Sequence, residues 1–218
     1  MRAMSPALRR TLVLAPLAAG LLAAGGCAVA PATPSATYTP PADGATFVYR
    51  VTSTGSYGNG VTEIAMRLDR TTFEGRDAVR FTFPGGSTVN ERATSAVIAI
   101  FDAQGRTTMR YDPPLGYPWP LASGKTATQE IRLAAGPSQT AMPMTANWKV
   151  EGAEDVTVPA GVFRAWRVTL VDSFGFRQTS WSVPDALGMF ARRESVRAAG
   201  HPQGPGSQTM ELVSGPRR

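Results

Sequence analysis

Cysteine and histidine occur once each in this chain of 218 residues, as Cys27 and His201. That excludes an internal disulfide and a zinc site assembled from Cys and His ligands, and the two residues are poorly placed to act as a catalytic pair. Lysine is almost missing too, with two residues against twenty arginines. The longest aliphatic stretch, residues 11–22, falls short of the roughly 20 residues that a membrane-spanning helix needs. Helical periodicity long enough to cross between parallel strands is absent.

The motifs of common chemistries are missing as well. No G-x-S-x-G elbow occurs, so a strained serine nucleophile has no place to sit. Gly124-Lys125-Thr126 fails as a phosphate loop, because Trp119 stands where the first glycine is required. Gly55, Gly58 and Gly60 lack the strand-to-helix context of a dinucleotide site and read as a hairpin loop. Glu151, Glu154 and Asp155 crowd one turn instead of facing each other across a cleft, which suits solvated charges better than a glycosidase pair. His201 lies among Gly200, Pro202, Gly204 and Pro205, in a segment, 198–207, that reads as loose and ill suited to hold a base. The expectation is a non-enzymatic protein with no catalytic residue, metal or cofactor, with an envelope hydrolase as the alternative.

What the chain does contain is 43% hydrophobic residues, too many for a disordered polymer, with 22 glycines and 18 prolines between short runs of Val, Thr, Phe and Ile. The formal charge of +6 shrinks to +3 once residues 1–26, which hold Arg2, Arg9 and Arg10, are set aside. Arg50, Arg67, Arg80, Arg110, Arg132 and Arg167 are scattered over separate strand-like runs, as on a solvated sheet face. A nucleic-acid footprint would gather them on one surface.

The first 26 residues have the layout of an export signal: a basic start, an apolar stretch, then Ala23-Ala24-Gly25-Gly26 ahead of Cys27. Leu21 to Cys27 resembles a bacterial lipobox, in which a peptidase cuts before a cysteine that receives lipid. The resemblance implies that Cys27 is the lipid attachment site, carrying palmitate and so binding the membrane. Ala28 follows, where an aspartate would imply inner-membrane retention, so the implied location is the outer membrane facing the periplasm; an ordinary cut would leave a soluble periplasmic protein. Residues 27–43, with Pro31, Pro34, Pro40 and Pro41, read as a Pro/Ala/Thr-rich tether.

Residues 44–213 read as one β domain, with 214–218 as a tail. Thr62, Ile64, Met66 and Leu68 alternate with Glu63, Ala65, Arg67 and Asp69, the period of a half-buried strand. Similar alternation recurs along the chain, separated by turn residues at short, even spacing. The pattern predicts an all-β fold of about nine or ten strands: a curved antiparallel meander, half-barrel or roll, with weak helical pieces near 87–95 and 185–187. Residues 96–101 are apolar throughout, as in a strand covered on both faces. The aromatics Trp119, Trp148, Trp166 and Trp181 are either core or a ligand-facing platform for a lipid or carbohydrate.

Trp119-Pro120-Leu121 with Gly124-Lys125, then Val156-x-Val158-Pro159-Ala160-Gly161-x-Phe163, then Trp181-x-x-Pro184-x-x-Leu187-Gly188 follow one another in order. This succession resembles a family of uncharacterised periplasmic and lipid-anchored β-sheet proteins of Gram-negative bacteria. Ala127 and Ser182 stand where those relatives carry aromatics. More distantly, the family resembles the half-barrels of lipoprotein carriers, which shield acyl chains. The resemblance implies an envelope protein with a binding or maintenance role, or a carrier of a hydrophobic ligand, whose partner is lipid or another envelope protein. Lipidation is directly testable: the wild-type protein should enter the detergent phase on phase separation while Cys27→Ser stays aqueous. Identical partitioning, with no acyl mass on the mature N-terminus, would refute it.

Overall fold

The computed structural model describes residues 34–216 except 137 and 139; Cys27 and the signal segment lie outside them. Among the described residues there are fourteen strands and no helix. In chain order they are β1 (Ser35–Ala36), β2 (Thr46–Gly55), β3 (Gly60–Phe73), β4 (Arg76–Phe83), β5 (Gly86–Glu91), β6 (Val97–Asp102) and β7 (Thr107–Leu115). Then come β8 (Leu121–Ala122), β9 (Thr126–Ala135), β10 (Thr140–Val158), β11 (Gly161–Asp172), β12 (Phe176–Val183), β13 (Met189–Arg197) and β14 (Gly206–Ser214).

Twelve of these form one closed antiparallel barrel, in the order β10-β11-β12-β13-β14-β2-β3-β4-β5-β6-β7-β9 and back to β10, sealed by the pairing of the last strand, β14, with the first barrel strand, β2. The all-β antiparallel expectation holds, but the meander curves until its ends meet. A half-barrel keeps two open edges; closure removes them.

The alternation has its expected cause. On β2, Phe47, Tyr49 and Val51 are buried while Arg50 and Thr52 are exposed, and on β3 Met66 and Leu68 are buried against exposed Glu63 and Arg67. With Glu130 and Lys149 also outside, the barrel is apolar within and charged without. A membrane-spanning barrel has the opposite polarity. The apolar strand at 96–101 is covered on both sides as expected. Val97 and Ile100 face the lumen, and Ile98, 2% exposed, packs in an outer cluster with Ala78, Val89, Phe73 and Phe101.

Other expectations are corrected. Residues 87–95 hold no helix, because β5 is hydrogen-bonded along both flanks, to β4 and β6; long-range pairing overrides local composition. Residues 185–187 form a turn. The turn expected around Glu151 to Asp155 is a bulge inside the 19-residue β10, where the register against β11 slips between Val150 and Gly152, and Gly152 takes φ +143°. The three carboxylates therefore lie along a strand. Segment 198–207 is a bonded turn, with His201 N–H donating to Ala198 O at 3.0 Å and Gly204 N–H to His201 O at 2.8 Å. β14 is no edge strand, since it joins β13 to β2. The described part of the tether docks: Ser35 and Ala36 pair with Ala122 and Leu121, and Ala36 is buried.

Two glycines of the ordered motifs show why that residue is needed. Gly161 starts β11 at φ +129° with open space where a Cβ would stand, and Gly188 takes φ +60° with that position against the Thr39 carbonyl and 2.8 Å from Pro41 Cδ. Gly161→Val should therefore cost about 1–3 kcal/mol from backbone strain alone. Gly188→Ala adds overpacking of roughly the same size and should cost more. Urea denaturation of both variants checks the order; equal losses would show that the contact with the 39–41 segment contributes nothing.

Candidate functional site

Twelve strands make a wider ring than side chains alone can fill, since eight already leave room for a small ligand. Two interior groups of side chains occupy part of the lumen. One centres on Phe47, Tyr49, Leu68, Phe81 and Phe190; the other gathers Leu133, Met144, Trp148, Trp166 and Leu170. Between them runs a cavity of about 1010 Å³, at the top of the 300–1,000 Å³ range usual for small-molecule sites.

One end of the cavity is floored by aromatic rings. Tyr38 lies 5.6 Å from Trp119, Tyr117 lies 5.6 Å from Trp119 and 5.1 Å from Trp148, centroid to centroid. The indole N–H groups are anchored, Trp119 Nε1 donating to Thr94 O at 2.7 Å and Trp148 Nε1 to Gln129 Oε1 at 2.9 Å. Lys125 Nζ ties down the same loop by donating to Trp119 O and Pro120 O at 3.0 and 2.9 Å. The Gly-Lys pair of the ordered motif thus holds the floor in place. Burial raises the Tyr38 hydroxyl pKa against the smaller opposing effects of Ser95 and Arg92.

The far end is the mouth, where Met142 both lines the cavity and is 39% exposed. Here the lining turns polar. Asp172, Arg193, Arg197 and His201 all border the cavity. Asp172 Oδ1 is committed to its own turn, accepting from the N–H groups of Phe174 and Phe176 at 2.8 and 2.9 Å. His201 Nδ1 accepts from Gln203 N–H at 3.1 Å. Its pKa is lowered, first by desolvation and then by Arg197, with Asp172 pulling the other way.

Of the four tryptophans singled out in the sequence, Trp119 and Trp148 line the cavity. Trp166 is 9% exposed and packs with Trp148 and Val168 without reaching the cavity. Trp181 lies away from it as well. Arg167 and Arg192 stand over its ring at 5.6 and 5.3 Å, and its Nε1 donates to Glu154 at 2.7 Å. Glu151 and Asp155 pair with Lys149 at 2.7 Å and Arg164 at 3.3 Å, so the carboxylate trio converges on no substrate space. Sequence reasoning passed over Arg193, Arg197, Tyr38 and Asn90. Asn90 lines the cavity, is 7% exposed, and its Oδ1 has no hydrogen-bond partner among the described residues.

No family model matches this chain, nor does any curated protein. Among solved structures it is similar to a candidate exported protein with a YmcC-like fold from Bacteroides fragilis, at 14% identity and a TM-score of 0.47, over 84% of this chain and all of that one. It is also similar to the hypothetical lipoprotein YmcC from Escherichia coli, at 13% and 0.44, over 80% of this chain and 85% of that one. A candidate lipoprotein from Parabacteroides distasonis aligns at 11% and 0.40, over 83% of this chain and 99% of that one. At these values the likenesses bear on neither activity nor site.

Two phenols are held protonated by their surroundings. Burial pushes Tyr111 up to about 12 and Tyr49, whose hydroxyl donates to Phe190 O at 2.8 Å, higher still. Both are neutral in either state below the unfolded value of 10.0. Above that pH the unfolded chain ionises first, so stability is lost as the pH rises from 10 towards the folded values. Ultraviolet titration should show reversible ionisation near pH 10 of fewer than the five tyrosines present; five titrating together without unfolding would mean that Tyr49 and Tyr111 are not shielded from solvent.

Proposed function

We propose that this protein is a non-enzymatic envelope protein, held at the outer membrane through a lipidated Cys27, that binds an apolar ligand inside its barrel. The cavity of about 1010 Å³ carries the reading. Its walls present Phe81, Ile100, Met109, Leu133, Met144 and Leu170, side chains that offer area and dispersion contact but no chemistry. Methionine adapts to an irregular apolar guest, as flexible chains require. The charged exterior argues that this barrel stands in water and that its apolar interior is the binding surface. The export signal and the cysteine after it support the location.

The test is ligand capture by the mature full chain. After solvent extraction of bound lipid, the protein should enhance the fluorescence of the uncharged fluorophore N-phenyl-naphthylamine, and lipids should appear in the extract by mass spectrometry. Ala135, half-buried and on the cavity wall, gives a way to fill the space: Ala135→Trp should weaken fluorophore binding by about tenfold or more at an unchanged melting temperature. No enhancement and no extracted lipid would sink the proposal.

A further inference from the structure

The lumen is not uniformly apolar. Gln178, Ser195, Gln208 and Ser53 belong to four successive strands, β12, β13, β14 and β2, and each is the register partner of the next. All four line the cavity. They form a polar band across one wall, tied by a hydrogen bond from Gln208 Nε2 to Ser53 Oγ at 3.2 Å. Arg193 and Arg197 share the inward face of β13 with Ser195. Each therefore sits one same-face step, about 7 Å, from the band, Arg193 deeper and Arg197 at the mouth.

These two arginines differ from most others in the barrel. Arg50, Arg67, Arg70, Arg76, Arg92, Arg106, Arg110, Arg164 and Arg192 all have a carboxylate within 4 Å. Arg193 and Arg197 are in none of these pairs and are held otherwise. Arg193 lies 3.9 Å over the Phe190 ring and donates from Nε to Ser180 Oγ at 3.3 Å. Arg197 lies 3.8 Å over Tyr57 and donates from one terminal nitrogen to Ser56 O and Oγ at 3.4 and 3.2 Å. A guanidinium has five N–H donors, so both keep donors to spare. Half-buried cations placed on aromatic faces, with free donors and no carboxylate within 4 Å, are prepared for an anion from outside the chain; Asp172 at the mouth keeps its Oδ1 on the N–H groups of Phe174 and Phe176.

Resting on the reading that the lumen holds an apolar chain, we infer that the ligand is an acyl chain ending in an oxyanion, carboxylate or phosphate. Its charged end lies on the β12–β13–β14–β2 wall between Arg193 and Arg197. The apolar tail then runs towards the floor of Tyr38, Tyr117 and Trp119. The anion supplies the close partner that the arginines lack, and the band amides and hydroxyls take up its remaining lone pairs.

Displacement of N-phenyl-naphthylamine by hexadecanoate, hexadecyl phosphate, hexadecanol and inorganic phosphate tests this. The wild-type protein should prefer one or both of the charged chains over hexadecanol by about tenfold or more, and inorganic phosphate alone should displace nothing. In Arg193→Gln/Arg197→Gln that preference should fall below about threefold while hexadecanol affinity is unchanged. If Arg193→Gln fails to fold, the wild-type comparison and Arg197→Gln, at the mouth, decide the matter. Equal affinity for charged and neutral chains, a preference that survives in the double variant, or tight binding of inorganic phosphate would each overturn the inference and leave the apolar-ligand reading standing. If neither the fluorophore nor any chain enters the wild-type barrel, both fall.

Discussion

The eight pairs between β14 and β2, from Gly206 with Gly55 to Ser214 with Val48, are what make a vessel out of a sheet. The other strand contacts would exist in an open meander; these bring its ends together. Closure satisfies the backbone groups of two edges at once and defines an inside. Once an inside exists, the period of two sorts every strand's side chains between lumen and water, so the apolar cavity and the charged exterior are two results of one constraint. Ring size then matters: twelve strands leave interior volume that Phe47, Tyr49, Trp166 and their neighbours fill only in part.

The remaining structure closes the floor. The docking of Ser35 and Ala36 on β8, the carbonyl grip of Lys125 and the indole hydrogen bonds of Trp119 and Trp148 converge on one end. None of these contacts belongs to the barrel ladder. Apart from the Trp148–Gln129 bond, which joins β10 to β9, they are made by the pieces of chain that a β reading treats as tether and loop, at the end where barrel strands run out.

Much of this was legible. Alternation placed Phe47, Tyr49, Met66 and Leu68 in the core, the apolar run at 96–101 signalled a strand covered twice, and turn residues marked most hairpins. Closure was not, because it is a property of curvature summed over twelve strands and no single residue encodes it. Tyr38 was hidden in a proline-rich segment whose composition speaks of extension and not of where it docks. Arg193 and Arg197 were hidden by a bulge. Between β12 and β13, Trp181 pairs with Arg192 but Ser182 pairs with Phe190, leaving Ala191 over. Counting by twos from the inward Phe190 sends residues 193, 195 and 197 outside; the extra residue turns them back in. Gly152 disguised its bulge in β10 as a turn for the same reason: a local insertion changes phase without changing the look of the sequence.

Among the described residues the lumen is floored at one end by Tyr38, Tyr117 and Trp119 and reaches solvent at the other beside Met142. A long guest that enters tail first by the mouth, and leaves by it, goes out head first past the same residues. Uptake and release then share one bottleneck and, by microscopic reversibility, one transition state, so a change in the turns around the mouth speeds or slows both together and leaves the equilibrium to the walls. Under the proposed binding mode, hand-over takes place at the mouth as well, where the charged end of the guest is the part presented first.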